Sequence, residues 1–390
     1  MKSHGSTLAR TRWLLSGAVM AWVLTFFSAT DVRAQNALQP WSLTLGAGEA
    51  YDSNAAFSGP QGGQDIAGNL QVALGRSWTF QRGDLMFKGS AGQSFYRQAT
   101  TLNQLTYGFV GGAHYAITRR LSWSVDDSLS SNYARDTKVL TDAGLLLPTV
   151  ITRSNSAATQ FTYAVTPNTS VHWGLAEQTL GFTSLQFIGG GNVTTSFGIE
   201  RQMSRSQTLG LTHTYQRTFS NGEMASIQSL LATWQGRAGK ELTVTATGGI
   251  RPYTLPGQRG YRFSPGGSVG LSAHVSKGQT LGLTYERIIE QTFGLSNRTH
   301  LVNSVTASYG LSLTSHLAVE LGGNYSRGSY PLLPNLRILG QLGNASIRYS
   351  ATPKLGVVIT SSDFVSTIDP FRPVTDYRTM MSLTYGTTWH

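Results

Sequence analysis

The chain has 390 residues, a formal net charge of +11 and no cysteine, and only 13% of its residues are charged. Without cysteine it can form no disulfide, no Cys-ligated metal site and no lipid-modified N-terminal cysteine, so a lipoprotein is excluded. Glycine is abundant, and beyond the N-terminus no segment shows helical periodicity or an apolar run of membrane-spanning length. Few charges without a spanning helix indicate a barrel whose strands present only alternate residues to lipid.

The first 34 residues have the pattern of a secretory signal peptide. Basic residues among the first twelve precede an apolar stretch at 13–27, and small or apolar residues follow at the two positions that signal peptidase reads. An uncleaved anchor helix is the alternative, but this stretch is shorter than the roughly 20 residues that a spanning helix needs. We predict cleavage after Ala34, export through the general secretory pathway, and a single barrel domain at 35–390.

Short polar breaks recur along the rest of the chain, and most combine the Gly, Pro, Asn or Ser chemistry of a hairpin turn with a basic residue. They lie at 81–84, 118–120, 166–168, 204–206, 238–240, 276–278, 314–316 and 352–354. Between successive breaks lie a strand, a longer polar loop and a returning strand, and apolar residues alternate with Gly, Ser and Thr, as in 209–215 and 281–285. With a first pair from Trp41 and a last pair ending at His390, the spacing predicts an all-β, up-and-down antiparallel transmembrane barrel of about 18 strands, within a range of 16–18.

Aromatic residues separate this barrel from a soluble β-sandwich, which shares the alternation. Six Trp lie near a short turn or a chain end and share the apolar parity of their strands: Trp41, Trp78, Trp123, Trp173, Trp234 and Trp389. They predict an aromatic girdle at one membrane interface. A second girdle is predicted beside the long loops, from Tyr51, Tyr96, Tyr133, Phe182, Phe219, Tyr253, Phe293 and Tyr330. In the usual arrangement of bacterial barrels, the short turns and both termini are periplasmic and the long loops are external.

The longest predicted external loop runs over 134–156 and contains an apolar run at 145–151. The run begins with Leu145, Leu146, Leu147 and Pro148. Because it is too apolar to extend into water, we predict that it folds into the lumen as a plug or constriction. Packing against neighbouring loops is the alternative.

A barrel of this size leaves room for an aqueous channel, so transport is the default function. Counting parity from the turns gives eight charged candidates for the lumen wall, balanced in sign: Lys88, Arg251, Arg348 and Arg378 with Asp126, Glu200, Glu286 and Glu320. Such residues either set ion preference or form hydrogen-bonded charge pairs on a wetted wall.

The positive charge is concentrated at the short turns, where only Asp84 and Glu241 oppose nine basic residues. These are Arg82, Arg119, Arg120, Arg201, Arg205, Arg237, Lys240, Lys277 and Lys354. Contact with anionic headgroups of outer-membrane lipids, in the inner leaflet, is the first interpretation, and docking of an acidic partner or polymer from the periplasm is the second.

The sequence singles out no catalytic or metal site. His213 lies mid-strand on the lipid-facing parity, where a membrane-embedded hydrolase would place a catalytic histidine, but no nucleophile is marked by spacing. His114, His172 and His274 have inward parity on separate strands without metal-ligand spacing. We therefore predict no enzyme, metal or cofactor. Nucleic-acid binding is excluded because the girdles account for the aromatic residues and the signal peptide removes the chain from the cytoplasm.

The adjacent carboxylates Asp126 and Asp127 conflict with a regular strand. Side chains alternate along a strand, so one of the two must face lipid. We expect a β-bulge there, or an error in the assigned register, rather than a carboxylate on the outer face.

The sequence Tyr51-Asp52-Ser53-Asn54, followed by residues 55–57 at the first external loop, resembles an early signature of outer-membrane barrels associated with exopolysaccharide and capsule export clusters. The resemblance covers 35–390 in pattern and only these few residues in identity. It implies a conduit for exopolysaccharide or capsular polysaccharide that works with a periplasmic polysaccharide export protein. Such barrels mostly end on Phe, so the barrel assembly machinery would have to read Trp389, one place before the end. A local interpretation, with Tyr51 in a girdle and three ordinary turn residues, is equally open.

The sequence thus predicts an outer-membrane channel for polysaccharide export. A general or anion-preferring diffusion porin is the alternative, and a membrane-embedded hydrolase is a remote one. A large, persistently open conductance for small ions would favour the porin, whereas loss of surface polysaccharide on deletion would favour export.

Overall fold

The computed structural model describes residues 41–55, 63–134, 150–184, 186–220, 223–255, 258, 260–292, 298–331, 333–369 and 373–389. The predicted signal peptide at 1–34 lies outside these residues. Within the described ranges, the one helix is a 3₁₀ turn at Thr100–Leu102. No helix there is long and apolar enough to span a membrane.

Eighteen strands make up the rest. Their bounds are β1 Trp41–Asp52, β2 Asp65–Phe80, β3 Gly83–Tyr96, β4 Leu105–Ala116, β5 Leu121–Tyr133, β6 Ile151–Thr166, β7 Thr169–Phe182, β8 Gly190–Ser204, β9 Gln207–Ser220, β10 Glu223–Ala238, β11 Leu242–Tyr253, β12 Arg262–Ser276, β13 Gln279–Thr292, β14 Arg298–Ser312, β15 Leu317–Tyr330, β16 Leu333–Ser350, β17 Leu355–Asp369 and β18 Val374–Trp389.

The strands form one closed antiparallel sheet. Each strand pairs with its neighbours in sequence, and β1 also pairs with β18 over its whole length, from Trp41 opposite Trp389 to Asp52 opposite Arg378. The prediction of an all-β antiparallel barrel of about 18 strands is confirmed. Closure leaves no strand edge, which is the condition for a sheet to span a bilayer.

Short turns occur at the predicted breaks, at 81–82, 117–120, 167–168, 205–206, 239–241, 277–278, 313–316 and 351–354. In three of them a threonine hydroxyl accepts a hydrogen bond, 3.0 Å long, from the backbone N–H three residues later. These residues are Thr118, Thr314 and Thr352. Gly239 and Gly278 have φ of 70° and 96°, where a side chain would be strained. Local turn chemistry therefore fixes where each strand reverses.

The two faces of the barrel differ in composition, as β9 illustrates. Leu209, Leu211 and Tyr215 alternate with Gly210 and Thr212, and the first three are among the exposed large apolar residues. We call the face rich in Leu, Val, Ile and Tyr the outer face and the face rich in Gly, Ser and Thr the inner face, because the apolar face of a transmembrane barrel meets lipid.

The connection between β5 and β6 is shorter than predicted. Strand β6 begins at Ile151, so residues 151–156, assigned to the loop from the sequence, belong to the strand. The alternation is hidden there because Arg153 and Asn155 on one face are as polar as the serines on the other. The carbonyl of Val150 accepts the N–H of Ala134 at 2.7 Å and closes the base of the connection. The predicted plug residues Leu145, Leu146, Leu147 and Pro148 lie outside the described residues.

The expected bulge in β5 is absent. Asp126 lies opposite Gly112 and Asp127 opposite Gly111 and Ala157 in an uninterrupted register, so Asp127 takes an outer-face position. The expectation was wrong because the pairing of β5 with both neighbours sets its register, and the small residues on either side leave room for the carboxylate.

Buried side chains are concentrated at the long-loop end of the strands. One cluster there contains Ala55, Ala67, Tyr96 and Leu102, and another contains Ile227, Tyr253, Leu255 and Ile289. The short-turn half of the inner wall is mostly exposed or half-buried. The protein therefore packs against itself at the end where the long loops emerge.

Candidate functional site

The inner wall of the barrel holds the eight charged residues singled out from the sequence. Each occupies an inner-face position, and each lies on a different strand, so they line the wall without forming one cluster. Their role in permeation stays a prediction. The structure does bring some of them close to other charged groups.

Arg251 on β11 is embedded in the wall beside β12. Its half-buried side chain lies across Gly266, where any added side chain would overlap it. Glu286 on β13 interacts with it electrostatically. The guanidinium Nε is buried without a hydrogen-bond partner in the described part of the chain. Such a group is a fixed positive charge with an unfilled donor, which suits an anionic solute.

A second pair of opposite charges lies near the short turns. Glu320 on β15 accepts a hydrogen bond from the Ser346 hydroxyl at 3.4 Å, and Arg348 follows two residues later on β16. Both charged side chains are exposed. They fit a wetted wall with local charge compensation.

A histidine and a carboxylate lie close together at the short-turn end. His114 Nδ1 lies 3.8 Å from the Asp84 carboxylate across β3 and β4, and both side chains are more than half exposed. The ring of His172 lies over Gly198 on the neighbouring strand. Within the described ranges no three His, Asp or Glu residues are grouped as metal ligands would be.

Residues 51–54 join β1 to β18 where the barrel closes. The backbone N–H of Ser53 donates to the Tyr377 carbonyl at 2.9 Å, and the N–H of Tyr377 donates to the Ser53 hydroxyl at 2.8 Å. The side-chain amide of Asn54 donates to the Thr375 carbonyl at 2.9 Å. The rings of Tyr51 and Tyr377 lie 6.5 Å apart. These contacts are structural, and we call this junction between β1 and β18 the seam.

Asp52 is the inward member of the same segment. It is 1% exposed and accepts hydrogen bonds from the Asn54 N–H at 3.1 Å and the Tyr96 hydroxyl at 3.4 Å. Arg378 lies directly opposite across the seam. Hydrogen bonds and an opposite charge are what a buried carboxylate requires.

The connection from β3 to β4 is a part of this region that the sequence did not reveal. The Asp65 carboxylate accepts the N–H groups of Gln98 and Ala99 at 2.7–3.2 Å, and Asn103 accepts the N–H of Tyr96 at 2.6 Å. Leu102 packs with Tyr96 in the first buried cluster. Residues 97–104 are therefore held against the long-loop end of the wall. An isolated Asp at the start of a strand looks like an ordinary turn residue, so the sequence carries no signal for this contact.

Aromatic residues on the outer face lie near the short turns. Trp123, Phe161 and Trp173 form a ladder with ring centres 6.4 and 6.0 Å apart, and Trp123 Nε1 donates to Thr159 at 2.8 Å. Trp234 is partly exposed on β10. The Trp389 side chain lies outside the described set, although its backbone faces that of Trp41.

The second predicted girdle differs from the expectation. Four of its members are buried: Tyr96, Tyr133, Tyr253 and Tyr330. Tyr96 shares the inner face with Asp52, as its hydrogen bond shows. Tyr133 has the outer parity of Trp123 but is covered at the long-loop end, where its hydroxyl donates to the Leu102 carbonyl. Proximity to a long loop therefore does not place an aromatic ring in the outer interface.

On β1 and β2, also near the short turns, the outer face carries a charged residue between two Trp rings. The guanidinium carbon of Arg76 lies 5.1 Å from the ring centre of Trp41 and 5.0 Å from that of Trp78. The two rings meet edge to face, with centres 6.3 Å apart and planes at 80°.

The geometry defines a fold class, the closed 18-stranded antiparallel β-barrel. Among solved structures, this chain is similar to Acinetobacter baumannii OccAB4, with a TM-score of 0.51, 12% identity, and coverage of 91% of this chain and 100% of that one. It is also similar to Pseudomonas aeruginosa OpdO, with a TM-score of 0.51, 11% identity, and coverage of 90% of this chain and 98% of that one. A third similar structure is P. aeruginosa OccK2 (OpdF) in complex with glucuronate, with a TM-score of 0.51, 11% identity, and coverage of 91% of this chain and 100% of that one. No protein-family model and no curated protein matches the sequence. At these identities the likeness establishes the fold.

Proposed function

We propose that this chain is a bacterial outer-membrane diffusion channel for small polar solutes, with small anions as the preferred class. The observation that carries the proposal is Arg251, a charge fixed in the wall of a closed 18-stranded barrel with its Nε donor unfilled. The fold-related OccK2 (OpdF) structure holds glucuronate, which is a small anion. Residence in the outer membrane and insertion by the barrel assembly machinery belong to the same proposal.

The charges of the wall and the turns support an anion preference. The eight candidate wall residues balance in sign, with four acidic and four basic residues, so as a set they repel neither sign. The excess of basic residues at the short turns raises the local concentration of anions at that mouth. Arg251 then supplies a directional contact within the passage, as charged hydrogen bonds do.

Polysaccharide export is not favoured by the comparisons or by any contact described above. It rests on the resemblance of residues 51–54 to barrels of export clusters. Their contacts with Tyr377, Thr375 and Tyr96 are explained by closure of the barrel. The diffusion channel is therefore the better supported of the two functions.

Purified protein in a planar bilayer tests the proposal. We expect discrete conductance steps and a reversal potential in a KCl gradient that favours chloride. Liposomes containing the protein are expected to admit glucuronate faster than glucose, which has a similar size. Absence of both conductance and solute entry would contradict the channel, and a cation-selective reversal potential would contradict the anion preference.

Arg251→Gln sharpens the test because it removes the charge and retains a donor. We expect it to reduce chloride preference and to slow glucuronate entry relative to glucose. Arg201→Gln is the matched control, since Arg201 occupies an outer-face position on β8. If the two substitutions have equal effects, Arg251 does not contact the permeating anion.

A further inference from the structure

The outer face carries a charged group with features of a binding site, Arg76 on β2. Its guanidinium faces both Trp41 and Trp78, each about 5 Å away, and cation–π attraction holds a guanidinium in such a position. Its Nε is buried and has no hydrogen-bond partner in the described part of the chain. The side chain is therefore oriented, while part of its donor capacity is unused.

Among the residues that the structure describes, no ion pair joins Arg76 to a carboxylate. Opposite it on β3 lies Phe87, and the next outer-face positions on β1 and β2 are Leu43 and Leu74. An unneutralised cation beside apolar surface is unfavourable. The site therefore favours an anionic ligand from outside the chain.

An apolar groove lies on the same outer face, farther from the short turns. It has a volume of about 510 Å³ and crosses five neighbouring strands, from β18 to β4. Its apolar lining includes Leu45, Leu70, Val72, Leu105, Leu383 and Tyr385. Small residues, Ala47 and Ala91, form its floor between these larger side chains.

The separation of the two features matches one lipid molecule. Val72 is four residues from Arg76 on the same face of β2, which is about 13 Å at the rise of a β-strand. One leaflet of a bilayer's hydrocarbon core is about 15 Å thick. An acyl chain whose phosphate lies at Arg76 therefore reaches the groove.

We propose that Arg76, Trp41, Trp78 and this groove form a site for one phospholipid of the leaflet on the short-turn side. The phosphate binds the Arg76 guanidinium between the two rings, and an acyl chain occupies the groove. A phosphate ion would satisfy Arg76 alone, but the apolar groove needs a hydrocarbon ligand. The site is independent of what passes through the barrel.

Native mass spectrometry of the purified barrel with added dipalmitoyl phosphatidylglycerol tests this site. We expect one retained phospholipid per chain and about tenfold weaker retention in Arg76→Gln, since a charged hydrogen bond to phosphate is lost. Dipalmitoylglycerol, which has the same chains without phosphate, is expected to bind as weakly to the unsubstituted protein. Arg201→Gln is the matched control and retains lipid fully.

Further variants distinguish the ligand sources. Val72→Trp fills the groove and is expected to reduce retention as well, and millimolar inorganic phosphate is not expected to displace the lipid. If phosphate displaces the lipid and Val72→Trp retains lipid normally, the ligand of Arg76 is a free anion and the lipid proposal is wrong. Equal retention by Arg76→Gln and the unsubstituted protein would overturn the proposal. Arg76→Lys, which keeps the charge, provides the comparison if Arg76→Gln loses the heat-modifiable gel migration of a folded barrel.

Discussion

Two parts of the outer face differ in the side chains that they present to lipid. On β18, β1 and β2 the outer-face positions beyond the Trp residues are apolar over most of the strand, including Leu43, Leu45, Val72, Leu70 and Leu383. The regular alternation can be read directly from the sequence there. The charged outer-face residues of these three strands are Glu49 on β1 and Arg76 on β2, and the rest of the surface suits surrounding hydrocarbon.

On β5, β7 and β9 the same face carries ionisable groups. Asp127, Glu177, His213 and Arg217 all occupy outer-face positions, and Asp127 is only six residues from the start of β5. Pairing across the sheet imposes these positions, since each strand takes its register from two neighbours. Register is therefore a property of the whole sheet, and a single strand can carry residues that its own pattern would reject.

Introducing a charge into the apolar wall is expected to have the largest effect. Leu45→Arg places a cation among Leu70, Val72 and Leu383, and we expect the free energy of unfolding to fall by about 2–4 kcal/mol. Asp127→Arg, at a position already polar, is the matched comparison and is expected to cost less. Guanidinium unfolding in lipid vesicles measures both, and equal losses would remove the distinction between the walls.

Releasing the β3–β4 connection from the wall is expected to have the second-largest effect on stability. Asp65 is on β2, a strand of the apolar wall, and Asp65→Ala removes the acceptor for the N–H groups of Gln98 and Ala99. We expect a loss of about 1.5–3 kcal/mol, faster tryptic cleavage after the exposed Arg97, and larger single-channel conductance. Asp65→Asn keeps one acceptor oxygen, so we expect its stability to lie between that of the unsubstituted protein and that of Asp65→Ala. Unchanged cleavage would show that Leu102 packing alone holds the segment.

Removing the outer-face charge of the second wall is expected to have a smaller effect of opposite sign. Asp127→Ala deletes a carboxylate whose Oδ1 has no hydrogen-bond partner among the described residues, and we expect a gain of about 1 kcal/mol. Ser128→Ala, at the adjacent inner-face position, is the control. Destabilisation by Asp127→Ala would mean that the carboxylate is stabilised in the membrane.

The smallest effect is expected at the seam of the apolar wall. Tyr51→Phe removes an exposed hydrogen bond to Gln64 and retains the ring beside Tyr377, so we expect a change within about 0.5 kcal/mol. Chemical unfolding measures it. A loss as large as that of Leu45→Arg would show that the seam limits the stability of the whole barrel.

The strand count and the turns could be predicted because both are local. The Thr118 and Thr352 turns and the Gly239 and Gly278 positions are visible in short stretches of sequence. Parity counted from those turns assigns the charged wall residues, whose role in permeation stays a prediction.

Contacts between distant segments could not be predicted from local pattern. The Asp65 contact with residue 98 and the start of β6 at Ile151 depend on which strands pair. The outer-face position of Asp127 conflicts with its own strand's pattern and is set by Gly111 and Ala157.

The pairing of β1 with β18 has a consequence for the order of folding. The partner of the first strand is the last strand, so no earlier part of the chain can satisfy the free edge of β1. This contact spans almost the entire sequence, and contacts of such separation form slowly. Until the C-terminal strand arrives, β1 and its growing neighbour present two open edges, which invite pairing between chains. Assembly of the barrel therefore requires that these edges be shielded until synthesis and export are complete.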